Sequence, residues 1–205
     1  MISKTELEKM NRDYSNLLQE HGDDEKSLGW NKPKQQFRFE IFLNMISRQS
    51  DIFHDTSLRL LDVGCGLGHF YEFLMKKNIG IDYLGVDINP DFIDLCKAKY
   101  TNAMFYNELA EENFHDCDII CASGIFNRYF DKSLENIQEF ITNTQKTSAK
   151  IIVVNFLHTG ALLKHDDNFY TSIADIESVI DRKLTNGFYV DAASLPGEFT
   201  IGLFK

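Results

Sequence analysis

Proline is scarce in this chain, three in 205 residues, and no Pro-, Gly- or Ser-rich stretch marks a linker between two domains. That length suits one α/β domain with a sizeable core. Basic residues are outnumbered too: 21 Lys and Arg against 31 Asp and Glu leave a net charge of -10. No run of basic residues offsets that charge, so no nucleic-acid partner is expected. Apolar runs are all far shorter than a membrane crossing needs and the chain opens on a polar segment, so a cytoplasmic protein without a membrane partner is expected. The four cysteines, Cys65, Cys96, Cys117 and Cys121, lack C-x-x-C spacing and read as reduced, buried thiols, with no metal site. The phosphate-cradling pattern G-x-x-x-x-G-K-[S/T] is also missing.

What the chain does have is the stretch Leu60-Leu61-Asp62-Val63-Gly64-Cys65-Gly66-Leu67-Gly68-His69. Residues 58–63 read as a buried strand and 69–77 as a helix, which puts three glycines on a strand-to-helix turn. Glycine there permits positive φ and lets a ligand come close to the backbone. The helix that follows begins with unpaired N–H groups. The dinucleotide fingerprint G-x-G-x-x-G does not fit, because its third glycine would fall on His69. An acid just before the turn also suits a ligand with a positively charged end better than a pyrophosphate. About 20 residues on, 82–88 read as the next strand and end in Asp87-Ile88, the place where nucleotide-binding sheets carry a ribose-binding acid. The competing reading is that Asp87 caps the helix beginning near Pro90, a job that Asn89 could equally do.

Asp62-x-Gly64-x-Gly66-x-Gly68 resembles motif I of the class I S-adenosylmethionine-dependent methyltransferases. The run 116–124 resembles the family's motif IV, whose strand ends beside the transferred methyl. The resemblance covers roughly residues 58–205. It implies a Rossmann-like α/β sheet of seven strands in the order 3-2-1-4-5-7-6, with strand 7 antiparallel and helices on both faces. The pattern of the chain's end agrees, since 187–190 and 199–204 are joined by Pro196-Gly197 with no helix between and must pair antiparallel. The implied cofactor is S-adenosyl-L-methionine. Its implied site comprises Asp62, Gly64, Cys65, Gly66, Gly68, Asp87 and Ile88, then Asn107 or Glu108 for the adenine amino group, Leu109 for its ring, and Ser123 at the end of strand 4.

Residues 1–57 read as an N-terminal helical lid on the domain formed by 58–205. One helix spans about 5–20 and another about 33–48. On the second, Glu40, Asn44 and Arg48 share a face that should be wet, while Arg38 lies on the apolar side. Such an arginine needs an anion, either the cofactor's methionine carboxylate or an internal acid. Trp30 either lines the pocket or is plain core. Further on, 133–145 and 172–183 read as helices and 150–156 as a strand. His158 falls just past that strand, at the sheet edge where open α/β folds bind ligands. It is either the general base for the acceptor or a solvated loop histidine, with Asn127 as a polar positioner.

The activity so implied is methyl transfer by SN2 displacement to oxygen or nitrogen of a small-molecule acceptor, by a monomer or homodimer. The alternatives are a nicotinamide-dependent oxidoreductase and a non-catalytic S-adenosylmethionine-binding module.

Overall fold

The computed structural model describes residues 3–30, 32–48, 58–108 and 116–205. The elements are α1 (Lys4–His21), a 3-10 turn (Glu25–Leu28), α2 (Lys32–Ile46), β1 (Arg59–Val63), α3 (His69–Lys76), β2 (Asp82–Val86), α4 (Pro90–Lys99) and β3 (Met104–Tyr106). There follow β4 (Ile119–Ala122), α5 (Ser133–Gln145), β5 (Ile151–Leu157), α6 (Ile173–Val179), β6 (Gly187–Asp191) and β7 (Glu198–Phe204).

Among the described residues seven strands form one sheet, ordered β3-β2-β1-β4-β5-β7-β6. The first five run parallel, and β7 lies antiparallel to both β5 and β6. This is the expected order, reversed strand included. Its physical basis is visible in the central strands. Ile119 to Ala122 and Ile151 to Phe156 are buried without interruption, as strands covered on both faces must be. One face carries α2, α3 and α4 through Phe42, Met45, Phe70, Leu74 and Ile93. The other carries α5 and α6 through Ile137, Ile141 and Ile176.

Local signals explain most boundaries. Ser3 and Glu6 form a capping box that starts α1. Asn89 accepts from the amides of Asp91 and Phe92, with Pro90 in the first turn of α4. Asn89 therefore takes the capping role, and Asp87 is left out of it. The helix expected over 172–183 stops at Val179, because α5 intercepts the chain. Gln145 accepts from the Asp181 amide at 3.0 Å and donates to the Asp181 carbonyl at 2.9 Å, which ends the helix from outside.

The register brings one set of residues to one edge. Val63 pairs with Val86 and with Ala122, Ala122 with Val154, and Leu157 with Glu198. The glycine turn, Asp87, Ser123, His158 and the first residue of β7 thus share the carboxyl edge of the parallel strands, where such sheets bind ligands.

Candidate active site

Gly64, Gly66 and Gly68 all hold positive φ, at 74°, 54° and 72°, so the turn does need glycine at each of these three positions. Its first amides are spent within the fold. Gly64 and Cys65 both donate to the Val86 carbonyl, at 2.7 and 3.0 Å, and Gly66 donates to the Asp87 carboxylate at 2.9 Å. Those three N–H groups are therefore engaged within the fold, and the space at the missing side chains of Gly64, Gly66 and Gly68 is filled by Ile125, Leu28 and Tyr100. Cys65 can contribute backbone only, because its buried thiol lies against the Gly66 carbonyl and Gly85.

Two carboxylates converge on this turn. Asp62 is buried at the end of β1 and accepts a 2.5 Å hydrogen bond from the Tyr83 hydroxyl. Burial raises its carboxyl to about 7, which Tyr83 offsets in part and the charge of Asp87 reinforces. Asp87 is likewise raised by burial, and the amides of Asn89 and Gly66 work against that rise. Among the described residues neither carboxylate has an ion pair, although eleven other pairs occur, such as Lys99 with Asp23 and Arg128 with Asp13. Two acids at a ligand-binding edge with no cation beside them form a site of negative potential.

The other side of the edge is polar and buried. Arg38 is fully buried and donates from Nη2 and Nε to Glu198 Oε2, at 2.6 and 3.0 Å. Its Nη1 lies 3.4 Å from the Ser123 hydroxyl. Arg38 thus finds its anion inside the fold, the internal-acid alternative. The Trp30 ring stacks 4.0 Å from the Arg38 guanidinium carbon. Trp30 also closes on Gly124, where an added Cβ would come 2.7 Å from it. Trp30 and Ser123 therefore sit where strand 4 ends. Asn127 is buried nearby, 3.1 Å from that same Cβ position, and neither atom of its amide has a partner among the described residues.

The N-terminal segment lies over this edge. Asn11 donates to the Ile88 carbonyl at 3.1 Å, Asn89 donates to Asn11 and Ser15 at 3.2 Å, and Ser15 donates to Asp91 at 2.6 Å. Asp13 pairs with Arg128 at 2.9 Å, so α1 spans from the end of β2 to the segment after β4. Leu28 covers Gly66, where a Cβ would come 2.8 Å from it.

The remaining sequence candidates are scattered along the edge. Asn107 donates to the Asp87 carbonyl at 3.0 Å, tying β3 to β2, while Glu108 and Ile88 are exposed. Leu109 lies outside the described residues. His158 lies just past the end of β5. Its Nδ1 accepts from the Gly160 amide at 3.0 Å, so the neutral ring carries its proton on Nε2 and is arranged as a donor. Sequence reasoning missed Leu28, Asn155 and Glu198. For the last two a signal existed, since Asn155 is the lone polar residue of β5 and Glu198 the lone charged residue of β7.

Residues 61–148 match the family model described as a methyltransferase domain. That span runs from β1 through α5 and carries the glycine turn and Asp87. A Mycobacterium tuberculosis protein that carries a methyltransferase name, Rv1506c, is 26% identical over 137 residues, 65% of this chain and 74% of its own. The plantazolicin methyltransferase BpumL, solved with a desmethyl plantazolicin analogue and S-adenosylhomocysteine, superposes with a TM-score of 0.64 at 14% identity over 98% of both chains. Magnesium protoporphyrin IX methyltransferase from Synechocystis PCC 6803, solved with S-adenosylhomocysteine, gives 0.63 at 13% identity over 84% of both. Among the described residues no helix of this chain is long and apolar enough to cross a membrane, and no group of three or more potential ligands could hold a metal.

The Asp62 carboxyl makes a prediction about stability. Its folded value, about 7, lies above the ordinary 3.8. Between those values the folded chain keeps a proton that the unfolded chain has lost, so stability falls as pH rises through that window and levels off above it. Asp62→Asn removes this decline. Urea unfolding at pH 5 and pH 8 should show the variant gaining about 3 kcal/mol on the parent between the two conditions. Parallel pH dependence in the two proteins would contradict the assignment.

Proposed function

We propose that this chain is a class I methyltransferase that uses S-adenosylmethionine to methylate an oxygen or nitrogen of a small-molecule acceptor. The observation that carries the reading is the pair of carboxylates, Asp62 and Asp87, set at the glycine turn without a cation. When bound, S-adenosylmethionine supplies an electrophilic methyl group on a sulfonium, together with an ammonium. Both positive charges fit a site of negative potential. The pyrophosphate of a nicotinamide cofactor would be repelled there, which disfavours the oxidoreductase.

The residues divide the work by position. Asp87 has the place of the ribose-binding acid at the end of β2, and Asn89's capping of α4 leaves it to that task. Asp62 would hold the amino-acid end. Asn107 and Glu108 stand beyond Asp87 toward the adenine. Ser123, Asn127 and Trp30 would border the reacting methyl. With His158 arranged as a donor, positioning and exclusion of water supply the rate, the usual demand of a displacement between held partners. The acidic surface and modest length favour a small acceptor over a nucleic acid.

Calorimetric titration tests the cofactor reading. S-Adenosylhomocysteine should bind one to one, and Asp87→Asn should weaken it about tenfold or more, because a carboxylate oxygen facing a hydroxyl is replaced by a donor. Tighter binding of NAD would sink the reading.

Residues 1–57 would act as the lid. α1 buries no residue of its own and is held by hydrogen bonds, one ion pair and the Tyr14–Phe92 ring contact, so it should open readily. Asp13→Asn should speed dissociation of S-adenosylhomocysteine by up to about fivefold, as loss of one exposed ion pair permits. An unchanged rate in stopped flow, for this variant and for Ser15→Ala, would make α1 an appendage.

A further inference from the structure

A second polar cluster, at the start of β7, is left over by the cofactor reading. Glu198 is buried and its Oε2 is saturated: it accepts from Arg38 Nε and Nη2 and, at 3.2 Å, from Asn155 Nδ2. No hydrogen bond reaches Oε1 from the described residues. Asn155, also buried, spends its Nδ2 on β7, reaching the Phe199 carbonyl and the Thr200 hydroxyl as well, both at 3.3 Å. Its Oδ1 has no partner among the described residues. The Asn127 amide, across Trp30 and Gly124 from Arg38, is unpartnered at both ends.

We propose that this cluster is the acceptor subsite of the methyltransferase, that the acceptor is an amine, and that Glu198 is the carboxylate that holds it. The proposal rests on the methyltransferase reading above and narrows it from oxygen or nitrogen to nitrogen. An ion pair that only tied α2 to β7 would explain the bonds of Arg38. It would not explain a buried Asn155 oxygen without a donor, which costs stability unless something donates to it. Burying the pair is itself costly against an apolar substitute.

The unmet groups are mostly acceptors: Glu198 Oε1, Asn155 Oδ1 and Asn127 Oδ1. A hydroxyl brings one hydrogen to such a site and a neutral primary amine brings two. Glu198 also lies opposite Leu157 at the end of β5, and Arg38 joins it to Ser123 at the end of β4, the edge to which the methyl would be delivered. In the step, the amine lone pair forms the new N–C bond as the methyl's bond to sulfur breaks, with that electron pair remaining on sulfur. The nitrogen becomes positive beside Glu198, and its surplus proton passes to the carboxylate and on to solvent. The carboxylate thus favours the charge that develops, more than it favours the neutral amine.

The test uses the full chain, methyl-labelled S-adenosylmethionine and two probe mixtures. One holds primary and secondary amines (amino acids, polyamines, aromatic amines), and the other holds alcohols and phenols. Label should enter the amine mixture on nitrogen. For the best amine found, Glu198→Gln should raise KM about tenfold or more, the worth of a charge-assisted hydrogen bond, with S-adenosylhomocysteine affinity kept. Glu198→Asp, which retains the carboxylate, should recover part of the loss.

Label on oxygen would overturn the proposal. A parent-like KM in Glu198→Gln would overturn it too, as would the absence of labelled amine from a protein that binds S-adenosylhomocysteine. If S-adenosylhomocysteine itself fails to bind, the underlying methyltransferase reading falls instead. Should Glu198→Gln not fold, the atom labelled by the parent protein still decides.

Discussion

The hydrogen bond from the Gly66 amide to the Asp87 carboxylate, 2.9 Å long, couples the two strand ends on which the site is built. Asp62 and Asp87 repel each other, and both are pushed toward their neutral forms by burial. The fold holds them together with directed donors, Tyr83 for Asp62 and the amides of Gly66 and Asn89 for Asp87. Those donors accept charge without neutralising it. Negative potential is thereby stored in the empty-handed edge of the sheet, and a cationic ligand would relieve it.

That arrangement depends on the sheet. Parallel pairing of β1 with β2 and β4 puts their carboxyl ends side by side, and reversal of β7 brings its first residue, not its last, to the same edge. Glu198 can meet Arg38 only because the strand runs backwards. The N-terminal segment then closes the edge in two ways. α2 is welded to the sheet face by Phe42 and Met45, fully or almost fully buried, whereas α1 buries no residue and rests on hydrogen bonds, one ion pair and the ring contact of Tyr14 with Phe92. Firm attachment next to loose attachment is the division expected of a site that must both open and exclude water.

The strand order and the glycine turn were legible because they are written locally. Apolar runs, three glycines at fixed spacing and an acid at the end of β2 each sit within a few residues of one another. Arg38 was legible as an anomaly, a cation on an apolar helix face, but its partner lies 160 residues away and no local pattern selects Glu198 over other acids. The end of α6 was misplaced for the same reason, since Gln145 cuts it short from another helix. His158 stood at the correct edge, yet its role turns on which ring nitrogen a neighbouring amide occupies, a matter of loop geometry. Leu28 over Gly66 is a contact between the N-terminal segment and the turn that periodicity does not express.

The central claim is that the edge bearing Asp62 and Asp87 receives S-adenosylmethionine. A crystal structure of the full chain grown with S-adenosylhomocysteine tests it most directly. The account predicts ribose hydroxyls on the Asp87 carboxylate and the ammonium on the Asp62 side of the glycine turn. Adenosine seated elsewhere, or a carboxylate of the ligand facing Asp62, would contradict it.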